Sequence, residues 1–318
     1  MKNGFSHSVR GASHEVRGTV CQDYSAYHVC DSYAIAVVAD GHGSKKHFRS
    51  NLGSEFAVRA SLETVEAFYK NPDKFEKNFV INSKYVLKLM QKHIIACWND
   101  KVNEHFEKNP VTDSEKADFT EEEFAKLTAE SIYGTTLIVA VIGRKFTFGL
   151  QIGDGSLVVI DDKGDASMPI LYNESAPANV TASMCNTNAI HMFNSFVIWN
   201  PSVMAAFVST DGLYTSFNSD YDFLDYHTII TSNLHSFETF DRVILNNLTK
   251  RSRAGTQDDT SLSGVFDVDS VRGKADFLKH KVEENKKNAA SRRAEQLANM
   301  EKQKLKTAMR KSSDNGGM

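Results

Sequence analysis

Four cysteines are scattered at Cys21, Cys30, Cys97 and Cys185, with no Cys-x-x-Cys pair among them. That spacing excludes a disulfide framework and a cysteine zinc site, and reads as reduced thiols in a cytoplasmic setting. The opening Met1-Lys2-Asn3-Gly4-Phe5-Ser6-His7 has no apolar core of the kind a secretory leader carries. No apolar run approaches the ~20 residues of a membrane span, so no membrane partner is expected. No internal repeat is found. What remains is ordinary globular composition: 41% hydrophobic residues in a chain of 318, enough for a sizeable core in one large or two small domains.

Charge is unevenly spread. From Arg272 onward there are 13 Lys/Arg against 6 Asp/Glu, a net of +7, which leaves −10 on the rest of a chain whose total is −3. The expected organisation is therefore a body over 1–270 and a basic tail over 271–318 that is helical and then disordered. A nucleic-acid partner for that tail is the less favoured reading; most charged tails are solvated.

The apolar run Ile35–Ala39 predicts one buried strand, and it ends abruptly in Asp40-Gly41-His42-Gly43. A carboxylate at the tip of a buried strand is costly unless something pairs with it. The pattern recurs. Asp211 follows Phe207–Thr210, Asp258 and Asp259 precede Thr260-Ser261-Leu262, and Asp23 precedes a partly alternating segment over 24–33. Singly, each of these is an ordinary turn aspartate. Together at one end of a sheet they would repel unless a cation neutralised them, and an all-oxygen set suits Mg²⁺ or Mn²⁺. Two such ions activate water and clamp a phosphate, and His42 beside them is placed to protonate a leaving oxygen.

The surrounding pattern predicts two long helices, one with Phe48, Leu52, Phe56 and Ala60 on a face and Ser44 as N-cap, one running through Val86, Met90 and Ile94 with His93 packed in its apolar stripe. Asn71-Pro72 and Asn109-Pro110 end them. The acidic stretch 113–130 reads as a short surface helix or a mobile insert. Strands are expected over 135–142, 145–152, 156–160, 204–208 and 260–266, with Gly143-Arg144 and Gly153-Asp154-Gly155 as hairpin turns, and helices over 223–230 and 240–248. The segments 5–18 and 180–196 are polar and mixed and predict no element. The resulting class is α+β: a central antiparallel β-sandwich flanked by helices.

Asp40-Gly41-His42-Gly43, Gly134-Thr135-Thr136, Gly153-Asp154-Gly155, Ser209-Thr210-Asp211-Gly212 and Asp258-Asp259-Thr260-Ser261 stand in an order and spacing that resemble the metal-dependent protein serine/threonine phosphatases of the PPM, or type 2C, family. Ser13-His14 with Cys21-Gln22-Asp23 looks like the opening of a divergent, mostly bacterial branch. The resemblance runs from about residue 5 to 269. It implies an αββα fold with two Mn²⁺ or Mg²⁺ ions per chain and a phosphorylated protein as substrate, with a cognate Ser/Thr kinase as a further partner. It also implies a monomer. In that frame Asp40 bridges two metals, Gly41 lends a carbonyl, Asp211 and Asp258 hold the second ion, Asp23 acts on the outer shell of the first, and His42 is the general acid. A weaker third metal in the family uses an acid before the Gly-Thr-Thr turn; Glu130 is the nearby one. The turn itself and Asp154 match positions that are structural.

Two departures stand out. Gln22 occupies a position where many members have Glu. The phosphate-gripping arginine's position holds Gly18, with Arg17 one residue away, so Arg17 or His14, or Arg10, is the expected substitute. These departures keep a second reading open: a pseudophosphatase that binds phosphoprotein without hydrolysing it.

Overall fold

The structure is a computed structural model that describes residues 1–170, 181–199 and 203–314, and the side chains of 296, 301 and 303–314 are not described. Its strands in chain order are β1 (Lys2–Val9), β2 (Asp23–Val29), β3 (Ala34–Asp40), β4 (Leu137–Ile142), β5 (Phe146–Ile152), β6 (Ser156–Asp161), β7 (Ala166–Ser167), β8 (Asn194–Trp199), β9 (Val203–Ser209) and β10 (Thr260–Asp267). Among the described residues they form two five-stranded sheets, ordered β1-β10-β9-β6-β7 and β2-β3-β4-β5-β8, with antiparallel pairing throughout.

β3 shows why the sandwich forms. Its side chains alternate between faces, as any strand's do, yet both faces are apolar. Ala34, Ala36 and Val38 join Ile138, Leu157, Ala206 and Val208 in the layer between the sheets. Ile35, Val37 and Ala39 turn outward into a second core beneath the helices Ser50–Phe68 and Ser83–Lys108. A third core lies outside the other sheet, where Phe207, Leu262 and Phe266 meet the helices Asp220–Asn233 and Phe237–Arg251. Three apolar layers between four layers of secondary structure make the expected αββα sandwich.

Several local expectations are corrected. The segment 5–18 is not irregular: β1 pairs with β10 over eight residues, and a short helix, Ala12–Arg17, follows. β1 escaped notice because only Gly4 and Phe5 within it are buried. Asn194–Trp199 is likewise an edge strand inside an unassigned stretch; residue 180 of that stretch lies outside the described residues. Gly143-Arg144 does close the β4–β5 hairpin, but Gly153-Asp154-Gly155 carries the chain from one sheet to the other. Ser44 caps only the short 3₁₀ turn Lys45–His47, without a side-chain bond, and the helix proper starts at Ser50. After Asn71, whose side chain caps it, Pro72–Ile81 forms an additional helix. Its N-terminal proline is favourable there because that N–H has no helical partner. His93 is exposed, edge-on to Phe68 at 5.6 Å, while the buried stripe of its helix runs through Met90, Ile94, Trp98 and Val102.

The acidic insert is three short helical turns, Asp113–Lys116, Glu121–Phe124 and Ala129–Ile132. Each opens on a threonine capping box, at Thr112, Thr120 and Thr128. Arg49 ties the first turn to the body through two bonds to the Glu115 carboxylate, 2.7 and 2.9 Å, and others to Asn109 O and Tyr133 Oη. The C-terminal segment is a helix, Ala275–Asp314, whose first turns bury Leu278 and Val282. The disorder expected at its end falls on residues 315–318, outside the described residues. No helix among the described residues is long and apolar enough to cross a membrane.

Candidate active site

The strand ends decide where the aspartates meet. Asp23 opens β2 and Asp40 closes β3, and antiparallel register sets them directly opposite one another. Asp211 follows β9, and Asp258 precedes β10, which is β9's neighbour. All four therefore come to one end of the sandwich. Two adjoining cavities open there. One, of about 440 Å³, is lined by Asp40, Gly41, Asp258, Ser13, His14 and Arg17, with Gln22 in its wall. The other, of about 480 Å³, holds Asp40, His42, Asp211, Asp258, Asp154 and Lys46.

Asp40 is fixed by the Gly-Thr-Thr turn. Its amide donates to Thr136 Oγ1 at 3.0 Å, and its carbonyl accepts from Thr136 N at 2.8 Å and Thr135 Oγ1 at 2.9 Å. Gly41 has no room for a side chain: a Cβ there would stand 2.6 Å from Ser50 O and 2.7 Å from Gln22 O. Burial, then the negative charges of Asp23 and Asp211, push the Asp40 carboxyl well above the usual carboxylate range. Asp23 is raised too, by burial and by Asp259, although Thr210 Oγ1 donates to it at 2.7 Å. Asp211 is raised by burial first and by Asp154 second, and it lies within hydrogen-bonding reach of Asp40.

This is a group of acids short of positive charge. Four carboxylates line the two cavities, those of Asp40, Asp211, Asp258 and Asp154, with Gly41 beside Asp40. That donor set fits a hard divalent cation. Among the described residues no three His, Cys, Asp or Glu side chains converge on a single metal position. Mg²⁺ commonly binds through one or two carboxylates and keeps several waters, so the sparse set is compatible with it.

His42 projects into the second cavity. Burial, then His47 and Lys46, bring its pKa down to about 4. Its ring lies 4.8 Å from that of His47, and its amide donates to Gly134 O at 3.1 Å. His47 is itself anchored on Ser131 O. Sequence reasoning overlooked His47; its place five residues beyond His42 was the only hint.

Asp258 and Asp259, adjacent in sequence, differ in surroundings. The Asp258 side chain is 55% exposed and lines both cavities, whereas that of Asp259 is 4% exposed. Asp259 accepts from Gly11 N and Gln22 N, both at 2.6 Å, and lies 2.9 Å from His14 Nδ1. It thus pins both ends of the 11–22 segment. His14 is consequently held between two acids, with Nε2 3.7 Å from Asp258. Arg17 is exposed at the cavity mouth and takes part in none of the ion pairs among the described residues. Arg10 turns away, donating to His14 O at 3.0 Å. The Gln22 amide is engaged with Ser50 Oγ at 3.1 Å. Glu130 lines neither cavity. Asp154, read from sequence as structural, faces the carboxylate cleft and accepts from Thr181 Oγ1 at 2.8 Å.

Comparison with known proteins bears on this architecture. Among solved structures, the chain is similar to PppA, a key regulatory component of T6SS in Pseudomonas aeruginosa (15% identity, 83% of this chain and 97% of that one, TM-score 0.50). It is similar also to a C. elegans sex determining protein (13%, 87% of this chain and 66% of that one, TM-score 0.53). Serine/threonine phosphatase Stp1 from Staphylococcus aureus matches at 13% over 84% of this chain and 95% of that one, with a TM-score of 0.49. For the first two the likeness is one of fold. No match was found among curated proteins. The model for protein phosphatase 2C matches residues 10–246, well over half of the chain, and the protein is thereby a member of the protein phosphatase 2C family.

Proposed function

We propose that the protein hydrolyses phosphoserine and phosphothreonine in protein substrates, using two Mn²⁺ or Mg²⁺ ions. The observation that carries this reading is the meeting of Asp40, Asp211 and Asp258 at one cleft, with His42 on one flank and Arg17 on the other. When bound, the ions supply neutralising charge and a nucleophilic water at neutral pH.

The chain's own residues supply the rest. Asp40 would hold both ions, the Gly41 carbonyl would serve one of them, Asp211 and Asp258 would hold the other, and Asp23 would act on the outer shell of the first. The Thr135 and Thr136 bonds fix the main chain at Asp40, so its carboxylate projects from a backbone that need not move during the reaction. Arg17 receives the phosphate oxygens, with His14 beside it. His42 donates a proton to the leaving seryl or threonyl oxygen. Burial keeps that imidazole neutral in the free site, and a phosphate dianion arriving beside it favours the protonated form. A monomer acting in the cytoplasm on a phosphoprotein, with a Ser/Thr kinase as its counterpart, is the setting proposed.

The test is hydrolysis of a phosphothreonine peptide in Mn²⁺ by the full chain, beside Asp40→Ala and Asp211→Ala. Turnover should vanish in both, and turnover surviving both substitutions would sink the assignment. Calorimetric titration with Mn²⁺ separates the alternative: a folded protein that takes up no Mn²⁺ yet binds the phosphopeptide is a pseudophosphatase.

A further inference from the structure

A second cavity system lies away from the carboxylate cleft and shares none of its lining residues. It has a volume of about 520 Å³ and sits between the Asp220–Asn233 helix and the C-terminal helix. At its inner wall is Arg251, the last residue of the Phe237–Arg251 helix. The guanidinium is stacked 3.8 Å from the Phe217 ring centre and 4.8 Å from that of Tyr226. Its hydrogen bonds go to neutral oxygens, Asn247 Oδ1 at 3.0 Å and Ser216 Oγ at 3.3 Å. None of the ion pairs among the described residues involves it.

The other charges at the cavity are already answered. Arg293 lies 3.5 Å from Asp222, Arg292 lies 3.4 Å from Asp225, and Lys286 lies 2.7 Å from Glu283. Arg251 is the exception: a half-buried cation without a counter-charge among the described residues, which burial holds below the usual guanidinium pKa. Tyr226, 8% exposed, packs its ring against that guanidinium and sets its buried hydroxyl beside it. A half-buried guanidinium is costly without an anion to meet it, and a carboxylate offers two acceptors in the geometry of its fork.

We propose that this cavity binds a small organic carboxylate: one negative charge at Arg251, with an apolar body against Phe217, Ile229 and Ala289. With Asp222 and Asp225 paired to Arg293 and Arg292, Arg251 leaves one uncompensated positive charge, which matches a monoanion better than a more highly charged anion such as phosphate. The C-terminal helix closes one side, with Val282 and Ala290 in the wall, so the site exists only where that helix is docked. The position is suited to an effector. After Arg251 comes the π-helical turn Ser252–Thr256, in which Ser252 Oγ donates to Asp258 O at 2.9 Å. The site stands apart from the phosphatase reading, since no residue in it is proposed to act on phosphate ester.

The experiment is ligand-observed NMR titration of the full chain with benzoate and hexanoate, and with inorganic phosphate in parallel. Saturable binding of at least one carboxylate is expected, about tenfold weaker in Arg251→Gln and absent in Ala289→Trp, which fills the cavity from the C-terminal helix. Circular dichroism and Mn²⁺ titration establish that both variants are folded. Binding of neither carboxylate, binding of phosphate in preference to them, or binding unaffected by both substitutions overturns the proposal.

Discussion

Asp23 and Asp40 face each other across β2 and β3 as directly paired residues, two carboxylates brought together by antiparallel register alone. Among the described residues neither has an ion pair with a basic side chain; Asp23 has Thr210, and Asp40 has its backbone bonds to Thr135 and Thr136 and the nearby carboxyl of Asp211. A cleft built this way costs stability until positive charge enters it.

Asp40→Asn should therefore raise the melting temperature of the chelator-treated protein, by about 2–5 °C if the relief is ~1–2 kcal/mol. The same variant should lose the stabilisation that Mn²⁺ confers on the wild type. Differential scanning calorimetry with and without Mn²⁺ checks both. A lower melting temperature in chelator would contradict the electrostatic account.

Asp259 holds the 11–22 segment through Gly11 N, Gln22 N and His14. Asp259→Ala leaves the Gly11 and Gln22 amides without their acceptor inside the fold, a loss of about 3 kcal/mol. Because the freed segment carries Arg17, the KM for a phosphopeptide should rise by more than kcat falls. Steady-state kinetics beside a thermal melt measures this split.

Gly134 lies against the two histidines. A Cβ there would collide with His47 Nδ1 and stand 3.0 Å from His42 Cδ2. Gly134→Ala should therefore push the His42 ring off its position and lower kcat about 10²-fold, the scale of a misplacement near 1 Å. Mn²⁺ affinity, read by calorimetry, should fall far less than turnover.

Acid should act through His227. It is buried among the rings of Phe207, Phe223 and Tyr226, with Nδ1 at 2.9 Å from Phe223 O and Nε2 unpartnered among the described residues. Burial brings its pKa down to about 4 from 6.5. The folded-state value is the lower one, so the unfolded chain takes the proton first as pH falls. Its contribution is intact above pH 6.5 and is lost on descending toward pH 4, at ~1.4 kcal/mol per unit. The raised carboxyls of Asp23, Asp40 and Asp211 act in the opposite sense, so the His227 contribution is read as a difference: from pH 7 to 4.5 the melting temperature of His227→Leu should fall several degrees less than that of the wild type.

Much of this was legible in the sequence because the physics there is local. Buried on both faces, β3, β4, β5 and β9 are near-continuous apolar runs, and such runs announce themselves. The aspartates at their ends stand out for the same reason. β1 and β8 did not, since each lies at the edge of a sheet and most of its residues are not buried. His93 was misjudged because a histidine beside an apolar stripe has the same spacing whether its face is covered or not; here it is exposed.

By itself the sequence determined which strands are buried, which carboxylates sit at their tips, and the α+β class of packed sheets covered by helices that follows from those patterns. Only the tertiary structure decided how neighbouring residues divide their work. Asp258 faces the cleft while Asp259 is turned inward to hold a loop, and Asp154 joins the acids. His47 backs His42, and Arg251 stands without a counter-charge among the described residues. The reason is that burial and pairing depend on segments far apart in the chain: Asp259 meets Gly11 across 248 residues, and Thr210 meets Asp23 across 187. A periodic pattern reports the face a residue occupies, but not the partner that awaits it there.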